Sequence, residues 1–269
     1  MARSAEAVSM PPVPEAIFLD SVHMAVALNA QFIPPAEFSG SLYIRPVQFG
    51  SSCQIGLEPP DEFTFCVYVQ PHIAFHGHGA LKALVSEEFD RAATRGMGRV
   101  KVGGNYAPVI RWSSDAKKHG FGVLLHVDSE TQTYIDEFST SGFIGIQSSV
   151  DVSGSVSLPK LVIADSPAAI ESITSDSVRQ IAVSLGWDVI KRPIKLDELP
   201  TFSEVLAVGT AAGLVSVSSI HHRSHSKTYE FTAGGPCHQQ LSALLKAIQR
   251  GEIKDTFGWC DSLRYGDFA

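Results

Sequence analysis

Arg99-Val100-Lys101-Val102-Gly103-Gly104-Asn105-Tyr106-Ala107-Pro108 is the stretch from which the rest of the chain is read. It sets one lysine beside two glycines, at the end of an apolar run that opens into an expected helix. A lysine amine is a useful nucleophile only where burial or a nearby cation lowers its pKa. Glycines beside it let the backbone pass close to a flat or anionic ligand, where a Cβ would clash. Lysine, close-approach glycines and the following Tyr106 are what an aldehyde cofactor held as a Schiff base needs. A surface lysine in a strand–helix turn has the same letters, so the rest of the chain decides between the two.

Composition narrows the field. At 269 residues the chain holds one large domain or two smaller ones, and its 44% apolar and 18% charged residues are those of a globular protein. A formal charge of -7 argues against nucleic acid, which needs a basic face. No apolar run reaches the roughly 18 residues of a membrane helix, so no membrane partner is expected. Cys53, Cys66, Cys237 and Cys260 are scattered without a C-x-x-C pair, suggesting neither zinc nor a disulfide framework. The histidines His72, His76, His78, His221, His222 and His225 sit in loop-like segments without carboxylate support and are assigned no metal. No G-x-S-x-G elbow supports a serine hydrolase.

Along the chain, a helix is predicted over Glu15–Leu28 and strands over Ser41–Phe49 and Phe63–Val69. Phe75-His76-Gly77-His78-Gly79 reads as an interdomain linker. Beyond it, strands are predicted at Ala80–Glu87, Val123–Val127, Tyr134–Phe138, Gly142–Ile146, Val189–Pro193, Glu204–Val208 and Leu214–Ile220. Helices are predicted at Tyr106–His119, Ser172–Leu185, Leu196–Leu199 and Cys237–Gln249. Ser148–Ser157 and His221–Thr228 read as loops.

Three segments suit Lys101. Ile135-Asp136-Glu137-Phe138 is a strand whose carboxylates offer a partner for a protonated ring nitrogen, which keeps a pyridoxal ring an electron sink. Ile173-Thr174 opens a helix, where free N–H groups favour a phosphate. Gly209-Thr210-Ala211-Ala212 is a strand-end turn with a hydroxyl and closely spaced N–H groups, again suited to an anion.

Taken in order, K-V-G-G-N-Y (Lys101–Tyr106), D-E-F-S-T-S (Asp136–Ser141), S-I-T-S-D-S (Ser172–Ser177) and V-G-T-A-A (Val208–Ala212) resemble the branched-chain-amino-acid aminotransferases, pyridoxal-phosphate enzymes of fold type IV. Leu42-Tyr43-Ile44-Arg45-Pro46 and Phe257-Gly258-Trp259 resemble two further motifs of that family, so the likeness runs nearly end to end. Phe138–Phe143 resembles a fungal, gene-cluster-associated branch. The resemblance implies an α/β, two-domain fold: residues 1–75 as the remainder of a small domain, 76–82 as linker and 83–269 as the large cofactor-binding domain. It implies pyridoxal 5′-phosphate as cofactor, a homodimer, and exchange of an amino group between leucine, isoleucine or valine and 2-oxoglutarate.

Residue by residue, the resemblance gives Lys101 the Schiff base and the later proton shuttle, and gives Glu137 the pyridine nitrogen. Tyr106 faces the cofactor's phenolic oxygen and the substrate. Ile173, Thr174 and Thr210 cradle the phosphate. Tyr43 and the Thr210–Ala211 turn hold the substrate carboxylate, Arg45 meets the second carboxylate of glutamate, and Thr140 lines the side-chain pocket.

Two departures stand out. Family members carry a phosphate-binding arginine just ahead of the segment that starts here at Met1, and many carry asparagine at the position of Gly142. Against the first, this reads as a chain whose opening strands precede Met1, which leaves a weakly active or inactive paralogue as an alternative. D-amino-acid transaminases and aminodeoxychorismate lyases share the scaffold and are the other alternative. The expected compartment is cytoplasmic or mitochondrial, any targeting segment lying outside this sequence.

Overall fold

The computed structural model describes residues 1–35, 37–38, 40–73, 79–148 and 158–261. Most of the expected linker, residues 75–78, and of the expected loop, residues 149–157, lies outside them. The chain divides into two compact units, Met1–Ala74 with Lys254–Ala269, and Phe75–Ile253. The sequence reading assigns everything from 83 onward to the large domain, whereas contacts group Lys254–Ala269 with the first unit. One reason is visible within that unit: His23 Nε2 lies 3.1 Å from Asp261 Oδ2.

The first unit holds helices α1 (Ala2–Ala7) and α2 (Glu15–Ala27) and strands β1 (Ser41–Gly50) and β2 (Phe63–His72). The strands pair antiparallel in unbroken register from Ser41↔His72 to Gly50↔Phe63. Pro46 is tolerated because a two-stranded ribbon leaves one side of each strand without a ladder. Helix α2 meets the ribbon through Phe18, whose ring lies 5.9 Å from that of Phe65. After Lys254, the Asp255 carboxylate accepts the backbone N–H groups of Phe257, Gly258, Trp259 and Cys260, and the Phe257 and Trp259 rings stack at 4.3 Å.

The second unit is built on a nine-stranded sheet. Its strands are β3 (Leu81–Val85), β4 (Val123–Val127), β5 (Ile135–Phe138), β6 (Gly142–Gln147), β7 (Lys160–Ala164), β8 (Asp188–Arg192), β9 (Glu204–Gly209), β10 (Gly213–His222) and β11 (Lys227–Glu230). They lie in the order β5-β4-β3-β10-β9-β6-β7-β8, with β11 also on β10. The ladders β3–β4, β3–β10 and β7–β8 are parallel and the others antiparallel. Two parallel pairs are joined by helical crossovers, α3 (Ala107–Lys118) between β3 and β4 and α4 (Ile173–Ser184) between β7 and β8. Helix α5 (Pro236–Gln249) closes the unit. In such sheets ligands gather beyond the carboxyl ends of parallel strands, which here are the connections leading into α3 and α4.

The core is filled by Leu125, Ile135, Phe138, Phe143, Phe202, Val205 and Val217, all nearly sealed from solvent. Phe143 sits 5.6 Å from Phe138 and 6.0 Å from Phe202, ring to ring. Gly145 is required beside this stack, since a Cβ there would fall 2.5 Å from Phe202 Cδ1.

Two strands escape the sequence reading. β7 is a five-residue strand with only four apolar residues, Leu161–Ala164, which the helix-rich stretch after it obscures. The segment read as the loop His221–Thr228 instead contributes its two ends to β10 and β11, paired through His221↔Thr228 and His222↔Lys227. Its histidines also have the carboxylate the sequence reading did not find: His222 Nε2 is 3.0 Å from Glu87 Oε1. Among the described residues, no group of three or more His, Cys, Asp or Glu is placed to hold a metal. Nor, among them, is any helix long and apolar enough to cross a membrane.

Candidate active site

Lys101 lies in the long connection from β3 to α3 rather than at the end of a strand. The Asn105 side-chain amide donates to the carbonyls of Met97 (2.6 Å) and Val100 (2.7 Å), folding the segment back on itself. Gly103–Asn105 then makes a single 3-10 turn that delivers Tyr106 to the start of α3. The result is a direct contact: Lys101 Nζ donates to Tyr106 Oη at 2.6 Å. A Cβ at Gly103 or Gly104 would meet no protein atom within 4 Å, so neither glycine is demanded by packing within this chain.

Glu137 is buried at 7% exposure on β5. Its Oε1 lies 2.9 Å from Arg91 Nη2, and its Oε2 accepts from the Ile170 N–H at 3.4 Å. Burial raises its pKa to about 7, with the charge of Arg91, the Ile170 hydrogen bond and Lys101 all pulling the other way. Asp136, the neighbouring carboxylate, is the extra residue where the β4–β5 register shifts, and it is held instead by the Ser166 hydroxyl, which donates to it at 2.5 Å. That geometry separates two residues the sequence alone leaves equivalent.

Arg91, the cation against Glu137, is a residue of this cluster that sequence reading misses. It is itself buried, donating from Nη1 to the Gly98 carbonyl at 3.1 Å and from Nη2 to the Ala168 carbonyl. Two of its partners, Glu137 and Ala168, are far along the chain, so no local motif advertises it. His126 is the second omission. It sits directly opposite Glu137 in the β4–β5 ladder, is 1% exposed, and neither ring nitrogen has a hydrogen-bond partner. Burial, then the charge of Arg91, lowers its pKa from 6.5 to about 3.

This fixes the sign of a pH effect. An unfolded chain protonates His126 below pH 6.5 while the folded one keeps it neutral to about 3, so stability falls as pH drops through that window. The loss amounts to something on the order of 5 kcal/mol at its full extent. Glu137 acts oppositely, because its folded pKa of about 7 exceeds the ordinary 4.5 and stability falls as pH rises between them. The stability difference between wild type and His126→Leu, followed by urea unfolding from pH 7 to pH 4, isolates the histidine. The variant is expected to gain on wild type steadily as pH falls; a pH-independent difference contradicts the assignment.

The phosphate-binding candidates also converge. Ser172 caps α4, accepting the Ser175 N–H at 3.1 Å, which leaves the first N–H groups, those of Ile173 and Thr174, outside the helical ladder. Gly142 packs this helix start against β9: a Cβ there would stand 3.1 Å from Ser175 Oγ and 3.7 Å from the Val208 carbonyl. Glycine in place of the expected asparagine thus permits close approach. Gly209, opening the Thr210–Ala211 turn, abuts the Thr140 carbonyl and Ser141, both about 3.4 Å from where its Cβ would lie. Thr210 and Thr140 are exposed, while the Ser141 hydroxyl is buried with no hydrogen-bond partner.

Lys101, Tyr106, Glu137, Thr140, Ile173, Thr174, Thr210 and Ala211 all belong to the second unit, and Lys101 and Tyr106 are in direct contact. Tyr43 and Arg45 belong to the first, two positions apart on β1, with the Arg45 guanidinium 4.8 Å from the Tyr43 ring centroid.

The residues present fit a pyridoxal phosphate. A buried carboxyl beside a fixed cation suits a ring N–H, an amine is aimed by a phenol, and the unpartnered buried Ser141 hydroxyl lies beside the Gly209 turn, a strand-end turn of the kind that suits an anion. Comparison with known proteins agrees with this chemistry. The family model described as Amino-transferase class IV matches residues 1–220. The chain is 62% identical over 272 residues to the fungal "Aminotransferase TOXF" of Cochliobolus carbonum, spanning 100% of this chain and 75% of that protein. Among solved structures it resembles the branched-chain amino acid aminotransferase of Escherichia coli, with a TM-score of 0.76 at 23% identity, over 97% of this chain and 80% of the other. It also resembles the branched-chain amino acid aminotransferase from Thermobaculum terrenum in its PLP-form, with a TM-score of 0.73 at 22% identity, over 93% and 76%.

Proposed function

The chain belongs to the class IV aminotransferases, and on that premise we propose that it moves an amino group from leucine, isoleucine or valine to 2-oxoglutarate. The products are a branched-chain 2-oxo acid and L-glutamate. The observation that carries the site is the buried Arg91–Glu137 pair on the same unit as the Lys101–Tyr106 contact. The aliphatic preference is supported by the Leu42–Pro46 strand and by the fold shared with branched-chain enzymes. Arg45, stacked on Tyr43, is proposed to receive the second carboxylate of glutamate, and a homodimer is proposed as the working form.

Pyridoxal 5′-phosphate, the cofactor of this class, supplies an aldehyde for amine capture and an electron-withdrawing ring. The chain supplies the rest. Lys101 Nζ would provide the amine that captures the aldehyde and, once released, would take the proton from the substrate Cα and deliver it to the cofactor side of the new C–N bond. Tyr106 Oη, accepting from Nζ, keeps that amine aimed. Glu137 as carboxylate accepts a pyridine N–H. The N–H groups of Ile173 and Thr174, with the Thr210 hydroxyl, bind phosphate at a helix start where the dipole favours negative charge. Thr140 borders the side-chain pocket and Ala211 the substrate carboxylate.

The test is incubation of the purified chain with cofactor, L-leucine and 2-oxoglutarate, measuring L-glutamate and 4-methyl-2-oxopentanoate. The expected result is stoichiometric formation of both. Turnover of D-alanine but not L-leucine would move the assignment to a D-amino-acid transaminase.

A further inference from the structure

Resting on the reading of Glu137 as the pyridine-nitrogen partner, we propose that Arg91 is the positioning residue that aims the Glu137 carboxyl and opposes its protonation. The geometry is that of a built clamp. Arg91 is 2% exposed in its side chain and is tied to two backbone carbonyls, Gly98 in its own loop and Ala168 in the connection between β7 and α4. Its Nη2 thus bridges Glu137 and the segment that leads into α4, the phosphate-binding helix. A guanidinium presents several donors in one plane, so it can hold a carboxylate and two carbonyls together; a lysine cannot.

Every charged or titratable group set against Glu137 makes Arg91 decisive. Asp136, next on the same strand, opposes ionisation. Lys101 favours it, yet its side chain is exposed and already donates to Tyr106. His126, opposite on β4, is buried and stays neutral, so it adds no positive charge. Burial alone pushes the carboxyl toward its neutral form, and a neutral carboxyl would offer a ring nitrogen no counter-charge. Arg91 is the one buried cation in contact with it among the described residues.

The experiment is a carbon-13 NMR titration of the full chain labelled at the glutamate side-chain carboxyls, with the Glu137 signal identified by its loss in Glu137→Gln. In wild type the signal is expected to titrate with a midpoint near the value of about 7. In Arg91→Gln it is expected to move upward by about two units and stay protonated through neutral pH. An unchanged midpoint in Arg91→Gln overturns the proposal.

Arg91→Lys keeps a charge while losing the fork. It is expected to hold the midpoint within about half a unit and yet lower kcat for leucine roughly tenfold or more with little change in KM. An unaltered kcat in that variant overturns the aiming role, including if Arg91→Gln fails to fold. The two readings remain separable. Full turnover by Glu137→Gln removes the pyridine-nitrogen assignment, while the titration alone decides whether Arg91 controls the carboxyl.

Discussion

Replacing Lys101 by alanine is expected to reduce leucine–2-oxoglutarate turnover by about a thousandfold or more while leaving the thermal unfolding temperature essentially unchanged. The two halves of this expectation come from different facts. Lys101 is exposed, and its hydrogen bond to Tyr106 is made at the surface, so removing it costs little folding energy. The proposed function gives its amine both the capture of an aldehyde and the movement of the Cα proton, and positioned proton transfer alone contributes roughly 10²–10⁴-fold. Removing both roles leaves only the binding elements, Ile173, Thr174, Thr210 and Glu137. Single-turnover kinetics in saturating cofactor measure the loss directly. Near-wild-type turnover in the alanine variant would show that another amine does the work.

The second large effect is expected at Glu137. Glu137→Gln preserves shape and an acceptor oxygen but removes the negative charge, so it should lower transamination by about a hundredfold to a thousandfold. Cofactor binding through Lys101 and the α4 start should persist, seen as an unchanged visible pyridoxal band. Like the Lys101 change, this one should alter stability little at neutral pH, because the fold already favours the neutral carboxyl and the amide oxygen can still accept from Arg91. A variant with intact spectrum, near-wild-type stability and sharply lowered kcat is the expected combination. Unimpaired kcat contradicts the pyridine-nitrogen role whatever happens to stability.

Helix ends were the most legible part of the fold because they are written in local chemistry. Ser172 caps α4, Gly186 follows its last turn with φ of 79°, and Gly120 follows α3 with φ of 86°. The strands of the first ribbon announced themselves through β-branched and aromatic residues. What stayed hidden depends on contacts between distant segments. β7 is short and gains its identity only between β6 and β8, and β11 only from its ladder with β10.

The site divides along the same line. Lys101, Glu137, Ile173, Thr174 and Thr210 sit in compact motifs and could be named from sequence. Arg91 could not, because its meaning lies in Gly98, Glu137 and Ala168, which meet only in the folded sheet. The sequence likewise offered no reason to separate Asp136 from Glu137 beyond family resemblance. The strand does so by turning one to Ser166 and the other to Arg91.

The central claim is that Lys101 is the amine that captures the cofactor. Borohydride reduction of the full chain loaded with pyridoxal 5′-phosphate, followed by peptide mass spectrometry, tests it most directly. A phosphopyridoxyl mark is expected on the peptide containing Lys101, lost when L-leucine is added before reduction. A mark on a different lysine, or none on this peptide, would contradict it.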